Sequence, residues 1–180
     1  HGEIEKGNLD AIVLNASGCA TAVREYAHIF RDDPDMAVMA GAVTSLVRDV
    51  SEVLDEVGLG DVEASMPARV AYHDACSLQH GQKITAEPRA LLRRAGFELV
   101  EIPEAHLCCG SAGTYNMLEP RNAAELRRRK ADNIRGTGAD LVAAGNIGCI
   151  EQIGAGVDIP VVHTVELLDW ATGGPRPEDL

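Results

Sequence analysis

Aromatic residues are nearly absent from this chain of 180 residues: they make up 3% of it. A core must therefore be aliphatic, built on Ala, Val, Leu and Ile, which favours helices packed on a sheet over an all-β sandwich. Basic residues are also in deficit, 16 against 28 acidic ones, for a net charge of −12. Such a surface repels phosphate backbones and anionic lipid, which argues against nucleic acid as a partner and limits membrane contact to a peripheral one. The one basic run, Arg127-Arg128-Arg129-Lys130, follows Glu125 at helical spacing and is expected to be a solvated face. No stretch reaches the roughly 18 to 20 apolar residues of a membrane span, and no charged-then-apolar leader opens the chain. A cytoplasmic protein is expected, and His1 in place of Met reads as a processed form or a fragment. His-Glu-x-x-His, a nucleophile elbow, a full dinucleotide fingerprint and the closely spaced cysteine run of ferredoxins are missing as well.

What is present is 46% apolar residue content, enough for one generous domain or two small ones. Short apolar runs at Asp10 to Leu14, Arg69 to His73, Phe97 to Ile102, Asp140 to Ala144 and Ile159 to Val162 read as strands. Between them lie helical patterns: one from Cys19 through Val23, Tyr26 and Phe30, and a long one through Leu46, Val50, Val53 and Val57 that Gly58 closes. Others open at Pro88, at Pro120, near Cys149 and at Val165. The alternation predicts an α/β fold with a parallel-rich sheet and flanking helices. The tail from Gly173 to Pro177 is expected to fray.

One internal repeat is visible. The segment Leu9 to Cys19 aligns without gaps on Ala139 to Cys149, and both copies read strand, Gly-Cys loop, helix. Two related modules follow from it, the first incomplete: residues 1–66 as the C-terminal part of the first, 67–172 as a complete second, and 173–180 as a flexible tail.

An odd count of five cysteines argues against a closed disulfide framework and for metal or redox use. Each follows a predicted strand, and in parallel α/β sheets the loops at the carboxyl ends of strands gather at one edge, where ligands bind. Cys76, Cys108, Cys109 and Cys149 are therefore the candidate metal and cofactor ligands, since soft thiolates suit iron-sulfur clusters and zinc alike. Adjacent Cys108 and Cys109 need a bend to reach one centre, which Gly110 permits. A lone cysteine is by default a small core residue, and that reading carries equal weight for Cys19. His73 and His106 lie near cysteines as ligands or supporting donors, with a structural role favoured for both; His163 reads as a strand-end residue and His80 as a helix-surface one. Two other uses stay open: the thiolates hold zinc in a non-catalytic docking or assembly module, or Cys108 and Cys109 form a redox-active pair acting on a disulfide.

Cys76, then Cys108-Cys109-Gly110, then Asn146-Ile147-Gly148-Cys149 resembles the cysteine-rich CCG domain shared by heterodisulfide reductase, lactate-utilisation proteins and the glycolate oxidase iron-sulfur subunit. His73-Asp74-Ala75-Cys76 with Gln79 to Lys83, Cys108 to Asn116, and His163 to Leu168 resemble the C-terminal region of the last of these. The resemblance implies an electron-transfer subunit of a glycolate-type oxidase or dehydrogenase, taking electrons from flavin-containing subunits toward a membrane quinone pool. On that account the chain is part of an enzyme complex and not catalytic alone, and it sits in the cytoplasm or at the cytoplasmic face of the inner membrane. Asn146 departs from the heterodisulfide reductase pattern, which has Cys-x-x-Cys here, so four thiolates stand where that relative has five.

Overall fold

A computed structural model describes residues 2–7, 9–62 and 68–180. After a single turn, α1 (Gly2–Glu5), the first part runs β1 (Ile12–Leu14), α2 (Ser17–Arg24), α3 (Tyr26–Ile29), α4 (Ala37–Leu46), β2 (Val47–Asp49) and α5 (Val50–Val57). The helix expected from Cys19 through Phe30 is interrupted at Glu25, and the long helix through Leu46 to Val57 is two helices with a strand between them. Asp49 explains the break. Its carboxylate accepts from the Ser51 N–H at 2.9 Å, and Glu52 reaches back to the Asp49 N–H at 2.8 Å, a capping box that starts α5 afresh. Val47, 5% exposed, pairs in parallel with Ile12, so burial and ladder bonds outweigh a helical periodicity that runs on both sides.

The second part runs β3 (Arg69–His73), a π-helical turn (Ser77–Gln82), α6 (Glu87–Arg94), β4 (Glu98–Val100), α7 (Tyr115–Leu118), α8 (Pro120–Arg135), β5 (Leu141–Ala144), α9 (Ile147–Gly154), β6 (Val161–His163) and α10 (Thr164–Ala171). Its four strands form a wholly parallel sheet in the order β4-β3-β5-β6. Period-two alternation sorts the side chains. Val70, Tyr72, Leu141 and Ala143 meet α6 and α10 on one face, while Ala71, Val142 and Ala144 meet α8 and α9 residues on the other. All four residues of β5 are buried, as a strand covered on both faces requires. Between β3 and β5 the connections leave to opposite faces, so a crevice opens at the carboxyl ends of these two strands.

The two parts correspond further than the sequence repeat suggests. β1 pairs with β2 as β5 pairs with β6, and the second strand of each pair ends in a capping box, on Asp49 in one case and His163 in the other. The two parts also interlock. The Ser17 N–H donates to Gly145 O at 3.1 Å, Gln82 Nε2 to Ser17 O at 2.9 Å, and Gly81 lies against Thr21 so closely that a Cβ would sit 3.2 Å from it. His163 Nδ1 accepts the Val165 N–H at 3.1 Å, which leaves Nε2 to donate to Asn15 O at 2.7 Å.

The tail expected to be flexible lies against the fold, with Pro177 buried, Arg176 5.9 Å over the Trp170 ring and Leu180 packed on the core. One further expectation is corrected. The basic run is not uniformly solvated, because Lys130 points inward and is 0% exposed while Arg128 pairs with Glu125 and Asp132.

Candidate metal centre

Three loops at the carboxyl edge of the four-stranded sheet carry the site. After β3 comes His73-Asp74-Ala75-Cys76, a segment fixed by Asp74: this carboxylate, 5% exposed on its side chain, takes both Arg89 Nη atoms, one at 2.6 Å. Arg89 in turn sits 5.0 Å over the Tyr72 ring. After β4 the chain runs to Cys108-Cys109-Gly110 through Glu104, whose carboxylate is held by Arg129 and Asn133 and whose carbonyl accepts the buried Lys130 ammonium at 3.1 Å. After β5, Cys149 lies in the first turn of α9, where the helix N-terminus favours a thiolate.

The backbone bends sharply after the two adjacent cysteines, at Gly110. Its φ is +101°, and a Cβ there would stand 2.5 Å from Ala123 O and 2.9 Å from Gln152 Nε2. The bend also turns backbone donors onto sulfur: Gly110 N–H lies 3.3 Å from Cys108 Sγ and Ser111 N–H 3.5 Å from Cys109 Sγ.

Of Cys76, Cys108, Cys109 and Cys149, the structure brings Cys109 and Cys149 together directly. Cys109 and Cys149 are 1% and 2% exposed, with their Sγ atoms 3.5 Å apart, while Cys76 and Cys108 are half-buried. Hydrogen bonding from Cys109, then from Cys76, holds Cys108 far below the ordinary thiol range, and the Cys109 thiol does the same for Cys149. Cys76 and Cys109, the donors, are pushed up: Cys76 by its bond to Cys108 and then burial, Cys109 by its bonds to Cys108 and Cys149.

Cys19 stays apart, exposed at the start of α2. Its neighbour Gly18 reaches the site at one remove, because the Gly18 N–H donates to Asn146 Oδ1 at 3.3 Å and Asn146 Nδ2 lies 3.5 Å from Cys149 Sγ. His106 and His80 are exposed. His73, for which sequence favoured a structural place, joins the centre: a ring nitrogen and the Cys109 and Cys149 sulfurs all lie within 4.8 Å of one another. Two participants escaped sequence reasoning altogether. Lys130 was masked by its exposed basic neighbours, and the Asp74–Arg89 clamp joins residues that no local pattern links.

Soft sulfurs met by N–H donors and a buried imidazole fit an iron-sulfur cluster or another thiophilic metal. Comparison with known proteins points the same way. Residues 70–154 match the family model of the cysteine-rich domain CCG. The glycolate oxidase iron-sulfur subunit of Escherichia coli (strain K12) is 36% identical over 93% of this chain and 41% of its own length. A probable glycolate oxidase iron-sulfur subunit of Bacillus subtilis (strain 168) is 33% identical over 92% of the chain and 40% of its own. Lactate utilization protein A of Geobacillus thermodenitrificans (strain NG80-2) is 32% identical over 89% of the chain and 70% of its own length. The chain thus spans about two-fifths of the first two relatives.

Proposed function

Because the chain belongs to the cysteine-rich CCG family that includes lactate utilization protein A and the glycolate oxidase iron-sulfur subunit, we propose that it is the electron-transfer part of a glycolate-type 2-hydroxy-acid oxidoreductase. One observation supports this reading: Cys109 and Cys149 come from two separate strand-end loops and their Sγ atoms lie 3.5 Å apart, with Cys108 next to the first and Cys76 on the loop after β3. Cys76, Cys108, Cys109 and Cys149 would hold an iron-sulfur cluster there, and such a cluster supplies one-electron exchange when bound. The remaining residues set its surroundings. Gly110, Ser111 and Asn146 direct N–H groups at three of the sulfurs, offsetting their negative charge, while the α8 and α9 side of the core keeps water from Cys109 and Cys149.

The partners in this reading are flavin-containing subunits that oxidise the hydroxy acid, with electrons passing on toward a quinone pool at the cytoplasmic face of a membrane. Among the described residues no helix is long and apolar enough to cross a membrane, consistent with contact through a complex. Residues 67–172 would form a complete module and 1–66 the end of a first one; the repeated strand, capping box and helix in both parts support that division.

Anaerobic reconstitution with iron and sulfide, followed by iron quantification and EPR, tests the reading. Stoichiometric iron and an EPR signal that Cys108→Ser and Cys149→Ser abolish is the expected result. An iron-free protein whose stability is unchanged in Cys108→Ser would overturn it. Stoichiometric zinc without charge-transfer absorption would replace it with a docking module, and a two-dalton mass change on reduction with a dithiol redox site.

A further inference from the structure

We propose that His73 is a fifth ligand of this site, an imidazole donor alongside the four thiolates. The inference deepens the iron-sulfur reading and rests on it for the identity of the metal, but not for the ligand itself.

His73 is the last residue of β3, and its register opposite Ala144 at the end of β5 sets it at the floor of the crevice. It is 1% exposed, and neither Nδ1 nor Nε2 has a hydrogen-bond partner. A buried polar atom left unpaired has given up its hydration for nothing, so native proteins rarely keep one without a use. The Asp74 carboxylate next to it is fully engaged by Arg89, and Lys130 donates to the Glu104 and Ala105 carbonyls. Asn146 is occupied on both sides of its amide, by Gly18 and by Cys149. What His73 does face is sulfur: a ring nitrogen lies within 4.8 Å of both Cys109 and Cys149, the two most buried sulfurs.

The chemistry suits the position. Four thiolates already concentrate negative charge in a buried crevice, and a further anionic donor would raise that charge again. A neutral imidazole adds a donor without adding charge, and replacing thiolate by imidazole at an iron-sulfur centre moves its potential upward. His73 thus makes the centre easier to reduce than an all-sulfur set of five donors would be.

Two measurements on the whole chain test this. Metal-free protein is titrated anaerobically with cobalt(II), whose thiolate charge-transfer and ligand-field bands report binding; His73→Ala is expected to bind at least about tenfold more weakly, while His106→Ala and His80→Ala bind as wild type does. Unchanged cobalt affinity in His73→Ala would overturn the inference. The second measurement uses reconstituted, reduced wild type grown with ¹⁵N-histidine. Pulsed EPR should show a directly coordinated nitrogen that responds to the label, and His73→Cys should lose it while retaining iron and shifting the midpoint potential negative. Iron-loaded wild type without a histidine coupling sinks the ligand assignment and leaves the cluster reading intact. An iron-free protein that still binds cobalt through His73 does the reverse. Should His73→Ala fail to fold, the labelled wild type and His73→Cys decide the matter.

Discussion

Single residues give this site its shape, and Gly110 does so most directly. Any side chain there takes on a left-handed backbone and collides with Ala123 O, so Gly110→Ala is expected to destabilise the protein by about 3 kcal/mol and to lose bound metal. Urea denaturation of the metal-free protein with parallel metal analysis checks both parts; a variant that folds as wild type and keeps its metal would refute the role. The four candidate cysteines were legible in the sequence because residue type and strand-end position carry the signal. His73 was not legible, since its unpaired nitrogens and its distance to sulfur exist only once β3 and β5 are aligned. Lys130 was misread for a related reason: its neighbours Arg128 and Arg129 face solvent, and only the crossing of α8 over the 104–109 loop turns position 130 inward.

Elements begin and end on side chains that sequence reading largely found, yet their tertiary reach was hidden. Strand order along the chain and the Pro88 and Pro120 helix starts were readable, because Pro supplies a local rule. The short β2 was not, because three residues of strand between two helical patterns leave the apolar period undisturbed. His163 illustrates the hidden reach, since it caps α10 and also grips Asn15 of the first part. His163→Asn is expected to keep the cap and lose the grip, His163→Ala to lose both, and the Ala variant to be less stable by about 1 kcal/mol in thermal or chemical unfolding. Equal stability would show that the cap is idle. The loop that carries Cys108 and Cys109 hangs from α8 by Glu104, whose carboxyl is lowered from 4.5 to about 2, first by its bond from Arg129 and then by Asn133. Because the folded value is the lower one, this tie is complete above about pH 4.5 and is lost as pH falls toward 2. Amide exchange across residues 107–110 should therefore be faster in Glu104→Gln than in wild type at about pH 6, with the difference closing in acid and shrinking in high salt. A difference that persists in acid would contradict the assignment.

At the level of the whole molecule, the α/β class and the parallel sheet were foreseeable from alternating strands and helices, whereas the packing of the tail was not. Leu180 and Pro177 look like loose chain in sequence, yet Leu180 packs against the core, Pro177 is buried and Arg176 lies over the Trp170 ring of α10. Deleting residues 173–180 is expected to cost about 2 kcal/mol of stability through lost apolar burial and the Arg176–Trp170 contact, read as a lower melting temperature; an unchanged melting temperature would restore the frayed tail. The unequal depth of the four sulfurs has a kinetic consequence. Cys109 and Cys149 lie closed off behind α8 and α9, while Cys76 and Cys108 stand at the rim. Chelators, oxidants and incoming metal are therefore expected to reach Cys76 and Cys108 before the inner pair, so thiol labelling of the metal-free protein should modify Cys76 and Cys108 faster than Cys109 and Cys149.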